Sequence, residues 1–217
     1  MKTLLINGHP GFKEGQGFSL QLQKFFEKTF HEEFPDEELT ILNLYDFNLP
    51  RVENDSLWSA WSKQMVGVDL DDKEKEALSL NRQLLDQFKE HHRIVIVGPL
   101  HNFSVTSRIK DYLDNIMIAR ETFKYTEQGS VGLMTDDYKV WYIQGSGSIF
   151  SDNGKYSHLE HSTFYLKDVF VDVMGFDEFY LSRAEGTTTQ PVDKEAILKK
   201  GKESILKQFK DFYSSNS

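Results

Sequence analysis

The feature that most limits what this chain can become is the run Arg93-Ile94-Val95-Ile96-Val97, in which every residue after Arg93 is β-branched. A strand with one wet face alternates apolar and polar residues; this run does not, so both of its faces must be covered. β-Branched side chains lose rotamer freedom in a helix and fit a pleated surface, and Gly98-Pro99 closes the run at strand length. A strand buried on both sides belongs inside a parallel sheet. Parallel neighbours require crossovers long enough to hold a helix, all of one hand.

The rest of the chain supplies those neighbours. Thr3 to Ile6, Leu39 to Leu44, Val140 to Ile143 and Glu178 to Leu181 are runs of strand length, and Leu39 to Leu44 alternates as a strand near a sheet edge would. Between them the period changes to that of a helix. Ser19 is expected to cap a first helix with Leu22, Phe25, Phe26 and Phe30 on one face. A second helix is predicted over about Lys73 to Glu90, burying Ala77, Leu80, Leu84 and Phe88, with His91-His92 capping its end. Ser104 to Met117 presents Ile109, Leu113, Ile116 and Met117 at helical spacing. Leu159, Leu166, Phe170 and Val173 mark a helix closed by Gly175, and a last helix over about Asp193 to Tyr213 buries Ile197, Ile205, Phe209 and Phe212. Asp46 to Asp72, with Pro50, Trp58 and Trp61, has no clean period; connections of that length tend to be functional. No internal repeat is present. The pattern predicts one α/β domain over residues 1–217, a doubly wound five-stranded parallel sheet with helices on both faces; two strand orders are open to it, and 2-1-3-4-5 is the one that leaves a place for a flat ligand. In that order the switch point lies between the first and third strands, and a ligand sits beyond their carboxyl ends.

Composition narrows the function. The 34 acidic and 25 basic side chains give a net charge of −9, with no long Lys/Arg block, which argues against a nucleic-acid backbone as partner. The absence of cysteine removes disulfides, thiolate metal sites and a Cys nucleophile. The apolar run before Asn7 is too short for a signal peptide or a membrane span, so a cytoplasmic protein without membrane association is expected.

Three loops meet at the expected switch point. The first, Asn7 to Ser19 (NGHPGFKEGQGFS), joins a strand to a helix and offers free backbone N–H groups and the positive end of a helix dipole to a phosphate. It contains neither the P-loop pattern nor G-x-G-x-x-G, which disfavours a dinucleotide held in the Rossmann manner. The second, Gly98-Pro99-Leu100-His101-Asn102-Phe103-Ser104, combines a stiff Pro99, an amide at Asn102 suited to a flat heterocycle, and a Phe103 able to flank a ring. Taken alone it reads as an ordinary strand-to-helix turn with Ser104 as a cap. The third, Gly145-Ser146-Gly147-Ser148, lets backbone approach a ligand closely and present N–H groups to negative charge.

Pro99-Leu100-His101-Asn102-Phe103 and the helix Arg108 to Ile116 (RIKDYLDNI) resemble the P-M-Y-N-F segment and following helix of FMN-dependent NADH-azoreductases. The likeness continues through Thr122 to Gly129, Gly132-Leu133 and Ala184-Glu185-Gly186, collinear over nearly the whole chain. The resemblance implies a flavodoxin-like fold, FMN as cofactor, NADH or NADPH as donor, a quinone or azo acceptor reduced by two electrons in a ping-pong cycle, and a homodimer with its active site at the subunit interface. By the same resemblance His9, Phe18 and Ser19 hold the FMN phosphate. Pro99, Leu100, His101, Asn102 and Phe103 line the ribityl chain and ring, and Gly145, Ser146, Gly147 and Ser148 approach the pyrimidine edge. Tyr125, in the long loop after the fourth helix, and Phe150 are expected to shape the substrate pocket. His101 stands where the azoreductases usually have Tyr. The G-H-P of the first loop and Phe18-Ser19 are similar to related NAD(P)H quinone reductases, some of which hold FAD; FMN is expected ahead of FAD. The cofactor carries the chemistry, so no side chain is assigned as an essential acid or base; His101 has a possible assisting role in proton delivery, or packs.

The rival from another class is a flavodoxin-like protein without catalysis, an electron carrier or a regulatory, partner-binding subunit. The long segments Asp46 to Asp72 and Phe123 to Tyr138 exceed what a carrier needs. His158 and His161 are three apart on an expected helix, but no third metal ligand stands at motif spacing. Ser146 and Ser148 lack the G-x-S-x-G of a hydrolase nucleophile.

Overall fold

The computed structural model describes residues 2–152 and 154–215. Five parallel strands, β1 (Thr3–Asn7), β2 (Leu39–Asn43), β3 (Arg93–Pro99), β6 (Lys139–Gly145) and β7 (Glu178–Ala184), form a sheet of order β2-β1-β3-β6-β7. Counted within the sheet this is 2-1-3-4-5. Strand residues alternate between two cores. Leu4, Ile6, Ile94, Ile96, Val140 and Tyr142 face α3 (Asp72–Glu90), α4 (Ser107–Ile116) and α5 (Ser162–Lys167). Leu5, Val95, Val97, Trp141 and Ile143 face α1 (Phe18–Glu33) and α6 (Lys194–Tyr213). On the second face the Trp141 ring meets Phe26 edge-on at 5.6 Å and Phe212 at 5.0 Å, and its indole N–H donates to Ser182 Oγ at 3.2 Å.

At the amino end of the sheet two cations are fully buried. Arg93 donates to the carbonyls of Phe212 (2.6 Å), Ser214 (2.9 Å) and Asp137 and to the Asp137 carboxylate (2.9 Å). Lys139 donates to the Asp211 carbonyl at 3.0 Å. These bonds fasten the end of α6 beneath the strands.

Several expectations are corrected. The stretch Asp46 to Asp72 contains α2 (Leu57–Val66), which buries only Leu57 and Ala60 and therefore carries too thin an apolar stripe to announce itself. Its successor α3 begins with a capping box in which Asp71 and Glu74 exchange side-chain-to-backbone bonds. The segment after α4 is a hairpin, β4 (Phe123–Thr126) and β5 (Gly129–Gly132), rather than a loop. The helix expected after β6 is three pieces: a 3-10 turn Ser157–Leu159, α5, and a π-helical turn Asp168–Val173. His158 and His161 therefore sit on a turn and at a helix cap, not on one helix face. Helix α4 starts at Ser107 with Thr106 as its cap residue, because Ser104 is held in the preceding turn. No helix among the described residues is long and apolar enough to cross a membrane, and none of their His, Cys, Asp and Glu side chains gather in a group able to hold a metal ion.

Candidate functional site

Beyond the carboxyl ends of β1, β3 and β6 lies a crevice of about 280 Å3 lined by His9, Gly17, Phe18, Ser19, Pro99, Gly145, Ser146, Gly147, Thr187 and Thr188. Its floor is set by close backbone approach. Gly8 donates to the Val97 carbonyl at 2.8 Å and accepts from the Thr106 hydroxyl at 2.9 Å; a Cβ there would lie 2.3 Å from Ile109.

The loop out of β1 is tied to itself. Asn7 Oδ1 accepts the His9 N–H at 2.8 Å, and His9 Nδ1 accepts the Gly11 N–H at 2.9 Å. An accepting Nδ1 assigns the imidazole as neutral with its proton on Nε2, the nitrogen that a Cβ at Gly17 would approach to 2.4 Å. Burial lowers the His9 pKa, against a smaller upward pull from Glu14.

Helix α1 starts at this point without a side-chain cap and without an acidic residue in its first turn. Ser19, expected as the cap, is instead inside the helix, one residue past Phe18, while Gly17 takes the cap position. The Ser19 side chain is only 1% exposed, and its hydroxyl has no partner. The end of β6 presses directly on it: a Cβ at Gly145 would come within 3.2 Å of the Ser19 nitrogen. A buried hydroxyl without a partner beside an uncapped helix start is costly unless something else fills the space.

The carbonyls of the loop Gly145 to Ser148 are occupied by hydrogen bonds from neighbouring backbone. Thr187 and Thr188 donate their N–H groups to the carbonyls of Ser146 (3.1 Å) and Gly147 (3.0 Å), and the Ser146 N–H goes to Ala184 at 2.9 Å. The N–H groups of Gly147 and Ser148 have no acceptor among the described residues. Helix start, Ser19 hydroxyl, His9 Nε2 and this loop make a donor-rich concavity with no carboxylate in its lining, suited to an anion.

The third loop is strained. His101 and Ser104 exchange backbone bonds at 2.9 and 3.0 Å around Asn102 (φ 46°) and Phe103 (φ 66°). Two left-handed residues inside a two-residue turn are what glycine and asparagine tolerate and what a phenylalanine resists. Phe103 is 45% exposed, so burial offsets the strain only in part. The turn is anchored by the His161 N–H on the Phe103 carbonyl at 2.9 Å, and Leu100 donates to Gly145 at 2.7 Å.

Of the residues singled out from the sequence, His9, Phe18, Ser19, Pro99, Gly145, Ser146 and Gly147 converge on the crevice. Leu100, His101, Asn102 and Phe103 form the adjoining turn, and Ser148 continues the loop. Tyr125 and Phe150 are not among the lining residues. Tyr125 projects from the hairpin, 76% exposed, while Phe150 is buried with its N–H on Glu185. Gly17, Thr187 and Thr188 were missed; the threonine run after Ala184-Glu185-Gly186 was the available signal.

A family model described as flavodoxin-like fold matches residues 1–209. A relative from Lactiplantibacillus plantarum, an FMN-dependent NADH:quinone oxidoreductase, is 47% identical over 212 residues, covering 98% of this chain and 99% of its own. One of the same description from Streptococcus agalactiae is 48% identical over 214 residues, covering 99% of each. Among solved structures, an FMN-dependent NADH-azoreductase from Bacillus anthracis in complex with FMN superposes with a TM-score of 0.92 at 37% identity, over 98% of this chain and 99% of that one. Agreement of this depth along nearly the full length, on top of the sheet order and the crevice, means that the chain belongs to the flavodoxin-like family of FMN-dependent NADH:quinone oxidoreductases and NADH-azoreductases.

Proposed function

We propose that the protein is an FMN-dependent NADH oxidoreductase that reduces quinones and azo compounds, with NADPH as a possible second donor, by a ping-pong exchange at one shared place. The observation that carries the reading is the uncapped start of α1, with the buried, partnerless Ser19 hydroxyl, in the same crevice as the 145–148 loop, whose Gly147 and Ser148 N–H groups have no acceptor among the described residues. That set fits a phosphomonoester: it supplies donors and lacks a competing carboxylate. At about 280 Å3 the crevice is smaller than most ligand pockets, which begin near roughly 300 Å3, so it suits the phosphate and sugar chain while a flat ring extends across the 100–104 turn.

Bound there, FMN would supply the two-electron redox chemistry between NADH and the acceptor. The chain's own residues bind and orient. His9 Nε2, the Phe18 and Ser19 backbone and the Ser19 hydroxyl hold the phosphate. Pro99 to Phe103 would carry the ring on their turn, and N–H groups of the 145–148 loop would hold its pyrimidine edge and favour negative charge there. His101, exposed at the turn, would assist proton delivery to the acceptor or serve in packing and hydrogen bonding of the turn. Tyr125 and Phe150 would bound the acceptor's space from the hairpin and from the end of β6.

The same reading makes the protein a cytoplasmic homodimer with its active site at the interface. Support comes from the face of α2 and the segments flanking it, where Trp58 (59%), Met65 (85%) and Val66 (72%) are exposed together with Val52 and Val68. Anaerobic mixing tests the catalysis: NADH alone should bleach the bound flavin, a quinone should restore it, and double-reciprocal plots should be parallel. Intersecting lines would rule out one shared place, and flavin that bleaches only with a partner protein present would point to an electron carrier.

A further inference from the structure

Glu160 takes no part in the scheme above, yet it is only 2% exposed and gathers four donors. Its Oε1 accepts from Gln144 Nε2 at 2.9 Å, from the Thr163 N–H at 3.1 Å and from the Ser162 hydroxyl; its Oε2 accepts from Arg183 Nη2 at 3.0 Å. Burial opposes the charge, and the hydrogen bonds of Ser162 and Thr163, with the Arg183 guanidinium, outweigh it and hold the carboxyl below its usual range. Gln144 and Arg183 face each other across the β6–β7 ladder, one rung before Gly145 and Ala184. The carboxylate therefore clamps the penultimate rung of the ladder, beneath the 145–148 loop. The next peptide along the chain acts on the other loop, because the His161 N–H is the donor that holds the Phe103 carbonyl of the strained turn. One residue and its following peptide thus grip both loops that flank the crevice.

Stability alone does not account for such a cluster. Tyr142 Oη, Gln144 Oε1 and Arg183 Nε are all buried there without partners. A well-packed apolar set of the same volume would stabilise a sheet end as well or better. What a carboxylate with four directional donors adds is register between elements that apolar contacts would let slide.

We propose that Glu160 is a positioning residue for the reaction: it locks the 101–104 turn to the 145–148 loop, so that the two surfaces meant for the ring and its pyrimidine edge move as one body. This rests on FMN occupying the crevice, but the coupling of the loops is a property of the protein without ligand. The test uses E160Q and, because E160Q leaves the Arg183 guanidinium with only the Glu185 carboxylate at 3.9 Å as a charged partner, the double substitution E160Q/R183Q as a second variant. In flavin-free protein, hydrogen exchange should quicken roughly ten-fold in both loops together while α6 keeps its protection. In loaded protein the visible circular dichroism of the bound flavin should change, and FMN affinity should fall about ten-fold. A folded variant with unaltered exchange in both loops and an unaltered flavin spectrum overturns the proposal. If the wild-type protein takes up no FMN, the functional reading fails while the exchange measurement still decides the role of Glu160.

Discussion

Arg93 and Lys139 enter the amino end of the sheet with no exposed surface, and the carbonyls at the end of α6 and the Asp137 side chain accept their protons. At the carboxyl end the Ser19 hydroxyl is just as deeply buried and has no partner, α1 begins uncapped, and Phe103 sits in a left-handed conformation. Both ends belong to the same strands and the same two cores. At the first, both buried cations are hydrogen-bonded and close the fold, with Asp137 Oδ1 left without a partner; at the second, a helix start and a hydroxyl lack partners and the backbone is strained. Unsatisfied buried groups persist where a ligand satisfies them, so the contrast separates the part of the molecule built for stability from the part built for binding.

The contrast breaks most visibly at the amino end. Arg93→Met should cost about 3–5 kcal/mol in urea unfolding, because it strips donors from buried acceptors, while the folded fraction keeps its affinity for FMN. A loss below about 1 kcal/mol would mean that the clamp is incidental. Ser19→Ala should do the reverse: unfolding stability unchanged or raised by up to about 1 kcal/mol, FMN affinity reduced about ten-fold. Equal loss of both would make Ser19 a structural residue. Phe103→Gly should release the left-handed strain and stabilise the flavin-free protein by about 1 kcal/mol while slowing reduction of bound flavin by NADH. The smallest effect is expected at His9. Its pKa in the folded protein is lowered, so its contribution is present above the unfolded value near roughly 6.5 and is lost as pH falls through the folded value. The melting temperature of flavin-free protein should therefore fall on acidification below about pH 6.5, and His9→Asn, whose amide oxygen replaces the accepting Nδ1, should flatten that part of the profile.

The sheet was legible because its signal is periodicity over contiguous residues: Ile94 to Val97 and Val140 to Ile143 announce strands buried on both faces, while crossover length left two strand orders open and the choice of 2-1-3-4-5 came from the ligand crevice it creates. The anion-binding end was legible as well, since loops at the carboxyl ends of such strands are where ligands sit, and His9, Phe18, Ser19, Pro99 and Gly145 to Gly147 do converge. What stayed hidden depends on tertiary contact. Helix α2 buries two side chains and has no stripe to see. Ser19 has the chemistry of a cap, but the chain enters the helix two residues earlier, where Gly17 lets His9 lie close. The backbone strain at Phe103 has no signature in residue type, which argues against it. Glu160 is a charged residue in a polar stretch, and only the approach of Gln144 and Arg183 from two strands gives it a role.

The central claim is that the partnerless donors at the start of α1 are a phosphate site, and the comparison of FMN with riboflavin tests it most directly. Fluorescence titration of flavin-free protein should show one FMN bound per chain and riboflavin at least about 100-fold weaker, since only the phosphate engages Ser19 and the helix start through charge-assisted bonds. Equal affinity for the two flavins, or a protein that binds neither, would contradict the account.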